Sequence, residues 1–223
     1  MRKEILSGAP IPYDLPTAEL VKMLSSRDMK EFSLACEALS YKDDIEAYEA
    51  LKTGVDDKDK YRRLYVLKTI FRHRMAPELA YVLENAIISD DFLFVRNGLA
   101  AVCEYGIAVD GELILQACKR WLFDLNTELC ALSFVDVSER HYAEILSLFK
   151  RAGISQQKEC IADVLMKQYL EVKHGELYRQ FLGDSFAKIR LMAAKIALEY
   201  EYDMTVFLTD QDGHVRNFVQ RYV

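Results

Sequence analysis

The sequence predicts an all-α fold, a run of about seven helical hairpins, and three observations carry that expectation. An Asp followed five residues later by an aliphatic or aromatic residue, and six later by Arg, returns along the chain. Between these marks apolar residues recur at three- and four-residue steps, the period of a helix with one buried stripe. Period-2 alternation over strand lengths is absent, so no sheet is expected.

The clearest unit runs Asp184-Ser185-Phe186-Ala187-Lys188-Ile189-Arg190. The same spacing takes Asp90 to Val95 and Arg96, Asp210 to Val215 and Arg216, and Asp56 to Tyr61 and Arg62. Weaker copies start at Arg27, Asp124 and Ser155, so the starts at 27, 56, 90, 124, 155, 184 and 210 lie 26 to 34 residues apart. At that period each hairpin needs its neighbours to cover its apolar face.

Taken in order, the first 16 residues hold Pro10, Pro12 and Pro16. They are expected to form an extended leader over the edge of the first hairpin. From 17 to 223 no linker or composition break occurs, which predicts one repeat domain. Leu20-Val21-Lys22-Met23-Leu24 reads as a first limb, as does Leu79 to Ile88, with Pro77 suited to an opening turn. Val95, Leu99, Val102 and Cys103 mark a second limb, as do Ile189, Ala193, Ile196 and Ala197. Gly183-Asp184-Ser185 and Asp210-Gln211-Asp212-Gly213 supply a turn and an N-cap between limbs. An Arg one turn into the second helix can reach the Asp or the turn carbonyls of the next unit. Asp56, Arg62, Asp90, Arg96, Asp184, Arg190, Asp210 and Arg216 are therefore expected to form a structural ladder, not a catalytic array.

The run from Phe181-Leu182-Gly183-Asp184 through Ile189-Arg190-Leu191-Met192-Ala193-Ala194 resembles the HEAT repeat and its armadillo-like relatives. The resemblance covers residues from about 17 to the C-terminus. Units three, six and seven match best; unit five lacks the Asp and has Ile161 at the Arg position. It implies a right-handed α-α superhelical solenoid whose second helices line a concave face suited to extended partners. On that register Arg63, Leu67, Asn97, Ala101, Glu104, Lys195 and Glu199 face the concave surface. Their mixed signs fit a polar peptide or protein, so the expected function is a non-enzymatic protein-binding platform. HEAT-like alkylpurine DNA glycosylases have a similar length, and membership among them would imply a basic cleft with several aromatics and an acid. Here the one tryptophan, Trp121, precedes the Asp124 turn, on what reads as a first, outer helix. HEAT-like bilin lyases and other small-molecule or chromophore chaperones would require a deep apolar pocket between units.

Composition narrows the classes further. With 29 basic against 35 acidic residues the formal charge is −6, which disfavours nucleic acid as the main partner. No stretch of about 18 residues lacks charge and the N-terminus has no apolar h-region, so neither membrane nor export is expected and the compartment is read as cytoplasmic. Cys36, Cys103, Cys118, Cys130 and Cys160 sit in apolar runs without a C-x-x-C pair, as reduced core thiols do. His73, His141, His174 and His214 are too scattered for a metal motif, and no G-x-S-x-G or P-loop occurs. No catalytic residue, metal or cofactor is therefore expected. Between 58 and 74 seven cations split between opposite sides of a helical wheel, which predicts local ion pairing in place of a phosphate-tracking stripe. Asp43-Asp44, Asp56-Asp57 and Asp90-Asp91 read as caps.

Overall fold

A computed structural model describes residues 10–73 and 76–223; most of the expected leader, with Arg74, lies outside the described residues. The described residues contain helices and no strand. The chain divides into two compact units, Met1–Leu113 and Ile114–Val223.

The first unit holds α1 (Thr17–Leu24), α2 (Met29–Leu39), α3 (Ile45–Thr53), α4 (Lys60–Ile70), α5 (Ala80–Ile87) and α6 (Phe92–Tyr105), with a 3-10 turn at Ala76–Leu79. Consecutive helices pack as the pairs α1/α2, α3/α4 and α5/α6, and α4 packs against both α2 and α6. Asp28, Asp44, Asp59 and Asp91 start α2, α3, α4 and α6 by accepting backbone N–H groups of the first turn. Counting from the caps of α2, α4 and α6, residues eight and eleven positions on are Cys36 and Leu39, Leu67 and Ile70, and Leu99 and Val102. All six are buried. The common spacing brings the same face of each second helix to the core. Gly98 lets α6 approach α5, since a Cβ there would stand 3.2 Å from Ala86 and Ile87. Gly106 ends α6 in the left-handed region at φ 64°, where glycine costs least. Residues 10–16, ahead of α1, are non-helical: Ile11 is buried, Tyr13 meets Tyr41 edge-on at 5.3 Å, and Lys42 Nζ donates to the Tyr13 carbonyl at 2.9 Å.

The second unit holds all but the first three residues of α7 (Gly111–Trp121), a 3-10 segment at Thr127–Phe134, α8 (Glu139–Arg151), α9 (Ser155–Leu182), α10 (Ala187–Glu199), a 3-10 turn at Thr205–Phe207 and α11 (Gly213–Val219). The 28-residue α9 packs against α8, the Thr127–Phe134 segment and α10, so the expected fifth and sixth hairpins share one helix. No proline interrupts it, and the lone Gly175 costs only about 1 kcal/mol. Its buried residues run from Gln157 and Ile161 through Leu165, Tyr169 and Leu177 to Phe181.

Cys36, Cys118 and Cys160 are free thiols, and burial pushes Cys36 up to about 12 and Cys160 to about 11, which keeps them protonated and inert. The expectation of reduced thiols holds at these three positions. Among the described residues no helix is long and apolar enough to cross a membrane.

Candidate functional site

Hydrogen bonds at the turns set the register on which any surface must be read. Asp57, Asp184 and Asp210 each accept the backbone N–H two residues on, from Asp59, Phe186 and Asp212, at 2.8, 2.9 and 2.8 Å. The Ser26 and Ser89 hydroxyls do the same for Asp28 and Asp91, both at 3.1 Å. Each acceptor lies two residues before a helix cap. The turn mark of hairpin two is therefore Asp57, one residue beyond Asp56. In hairpin three it is Ser89, one residue before Asp90.

Four residues past the caps stand Arg63, Arg190 and Arg216, and each folds back on its own turn. Arg63 donates to the Asp57 and Lys58 carbonyls at 2.7 and 3.3 Å, Arg190 to those of Asp184 and Ser185 at 2.9 and 3.1 Å, and Arg216 to that of Asp210. Arg190 also holds Asp210 of the following hairpin through two bonds of 2.7 and 2.8 Å. Arg62, one position earlier on its helix, turns the opposite way and donates to the Leu24 and Ser26 carbonyls of the preceding hairpin. Val95 takes the fourth position of α6; Asp90 and Arg96 are engaged in other contacts. Lys60 to Asp91 and Lys158 to Asp184 add further links between successive hairpins.

These pairs make stability depend on acid. The Arg190 guanidinium holds the Asp210 carboxyl below its ordinary range, Lys60 does so for Asp91, and the Ala47 N–H for Asp44. A carboxylate depressed in the folded state stabilises fully above its unfolded value, near 4, and loses that contribution as pH falls through the folded value. Asp163, raised by burial and by Glu159, acts in the opposite sense. Denaturant midpoints are expected to be flat from pH 7 to about 5 and to fall steadily below about pH 4. Midpoints unchanged down to pH 3 would refute these pairings.

The basic run is largely absorbed by the protein itself. Lys60, Arg62 and Arg63 have the partners named above, and Arg72 pairs with Glu37 and lies 5.0 Å from the Tyr41 ring. Lys68 lies over the Tyr65 ring at 5.8 Å.

Two surface features remain in the first unit. One is a ridge along α4 and α6. Two and six residues past their caps stand Tyr61 and Tyr65 on α4, and Leu93 and Asn97 on α6; Tyr61, Tyr65 and Leu93 are 59%, 38% and 39% exposed. The Asn97 amide donates to the Leu93 carbonyl at 2.6 Å and so holds its place on the ridge. Lys68 and Glu104 extend the same faces and are exposed. The other is a cleft of about 260 Å³ between hairpins two and three, with Val55, Asp56, Arg63, Leu67, Tyr81, Asn85 and Phe94 among its lining.

The expected concave residues divide accordingly. Asn97 and Glu104 lie on the α6 ridge, and the Glu104 carboxylate accepts from the Tyr105 hydroxyl at 2.9 Å. Arg63 and Leu67 are among the residues that line the cleft. Leu67 and Ala101, at 2% and 6% exposure, are core residues, because the register of these helices turns them inward. Lys195 and Glu199 are exposed on α10 in the second unit, with Lys195 acting on Asp163. Sequence reasoning missed Tyr61 and Tyr65 as surface residues and assigned no role to Gln157. Counting from Asp59 instead of Asp56 would have found the tyrosines. The buried Gln157 donates to the Leu122 and Leu125 carbonyls, both at 2.8 Å.

Among the described residues no group of three or more His, Cys, Asp or Glu is placed to hold a metal ion. Comparison with protein-family models and with curated proteins finds no match to this chain.

Proposed function

We propose that this chain is a HEAT-like helical-repeat platform, a right-handed solenoid of about seven hairpins, that binds a partner polypeptide without catalysing a reaction. The observation that carries the reading is the α4/α6 ridge, where equivalent positions past two caps expose Tyr61, Tyr65 and Leu93 to solvent. Tyrosine supplies large contact area with few rotatable bonds and is enriched where protein surfaces meet. Lys68 and Glu104 give the rim both signs of charge, which suits a polypeptide better than a phosphate backbone. The cations that would serve a nucleic acid are held by Asp91, Asp57, Glu37 and turn carbonyls, which weighs against the DNA-binding and glycosylase readings.

The test is affinity capture at moderate salt from the native source, with the wild-type chain beside Tyr61→Ala/Tyr65→Ala. A discrete polypeptide retained by the first and reduced about tenfold or more with the second is the expected result. Equal recovery with both chains, or recovery of nucleic acid lost on raising salt, would overturn the reading.

A further inference from the structure

Three grooves between successive hairpins can be compared position by position. The third residue past a second-helix cap is Arg62 after Asp59, Phe94 after Asp91, and Gln157 after Ile154. Arg62 donates to the carbonyl of Leu24, four residues before the previous cap Asp28. Gln157 donates to the carbonyl of Leu122, four residues before the previous cap Asn126. In both grooves a side-chain N–H donor from the third position thus closes the preceding turn. The Arg62 guanidinium also lies 4.1 Å from the Phe32 ring, and the space left there is only about 60 Å³.

The middle groove has the same frame without the donor. Phe94 stands at the third position, and Val55, four residues before Asp59, lines the cleft of about 260 Å³. Asp56 brings a carboxylate to its wall, Asn85 a side-chain amide, and Tyr81 and Phe94 two rings.

We infer that this cleft is a binding site for an arginine side chain of the partner polypeptide, whose guanidinium occupies the place that Arg62 fills in the neighbouring groove. The inference rests on the partner-binding reading and specifies what the partner contributes. A planar, weakly hydrated guanidinium matches the site in three ways: it donates to carbonyls and to Asp56, it stacks on aromatic faces, and it stacks on another guanidinium more readily than an ammonium does. The last point matters because Arg63 lies on the cleft wall, 5.7 Å from the Phe94 ring, with one nitrogen committed to the Asp57 and Lys58 carbonyls. A compact lysine ammonium would meet that charge without the compensating stack.

The experiment titrates the full-length chain with N-acetyl-arginine methylamide, following backbone amides by NMR, with the lysine and citrulline analogues as controls. Saturable shifts at Tyr81, Asn85 and Phe94 are expected with arginine, with affinity for lysine and citrulline about tenfold lower. Phe94→Arg, which supplies the missing donor from within, is expected to abolish the shifts, and Asp56→Asn to weaken binding several-fold; Asp56 is exposed, so the second variant keeps the test alive if the first does not fold. No saturable shift in the cleft, equal binding of citrulline, or undiminished binding by Asp56→Asn would each overturn the inference. A polypeptide captured through the α4/α6 ridge with no arginine response in the cleft removes this site alone. An arginine response without ridge-dependent capture removes the platform reading.

Discussion

Replacing Arg190 by alanine is expected to lower the unfolding free energy by about 3–5 kcal/mol, the range for breaking one side of a buried ion pair. Its side chain and that of Asp210 are 8% and 7% exposed, and its guanidinium makes four hydrogen bonds, two to Asp210 and two to turn carbonyls. Removing it takes the charged partner from the Asp210 carboxylate, which keeps the Asp212 N–H, and the side-chain donor from two carbonyls, where water reaches them poorly. Asp210→Asn removes one charge and keeps an acceptor, so a smaller loss is expected. Chemical denaturation of both single variants and the double variant separates the terms. If the pair links α10 to α11, the double variant loses less than the sum of the two single losses. Additive losses would mean that Arg190 acts only on its own turn.

Gln157 carries the second large effect. Its amide is buried and donates to Leu122 and Leu125, joining the start of α9 to the end of the α7 hairpin. Gln157→Leu keeps the volume and removes both donors, with an expected cost of about 2–4 kcal/mol. Gln157→Glu is expected to cost more at neutral pH, because a carboxylate would face two carbonyl oxygens. Its deficit should narrow as the pH falls and the carboxyl becomes a donor. A glutamate variant as stable as the wild type at pH 7 would show that donation at this site contributes nothing.

The helical class could be read from the sequence because it depends on local chemistry. Apolar steps of three and four put Cys36 and Leu39, Leu67 and Ile70, and Leu99 and Val102 on buried faces, and small polar residues cap the helices between them. The register was harder to read, for an identifiable reason. In hairpin two the letters Asp56-Asp57 and Arg62-Arg63 admit two alignments, and only the bond from Asp59 N–H to Asp57 chooses between them. In hairpin three the turn acceptor is Ser89, so a motif anchored on Asp selects its neighbour. A one-residue slip rotates a helix by about 100°, enough to exchange the core residue Leu67 for the exposed Lys68. The join of hairpins five and six in α9 was hidden because one glycine without a proline or cap is too weak a signal to end or extend a helix. The cleft was invisible to sequence, since it depends on which third-position side chain leaves space behind it.

The most direct measurement places a photoreactive phenylalanine at Tyr61, Tyr65 and Leu93 in turn, with Val172, exposed on α9, as the control position. Irradiation in the native source is expected to give one discrete, protease-sensitive adduct from the three ridge positions and none from Val172. Adducts that a nuclease removes, equal labelling from Val172, or no adduct at the ridge would contradict the proposal that this face receives a partner polypeptide.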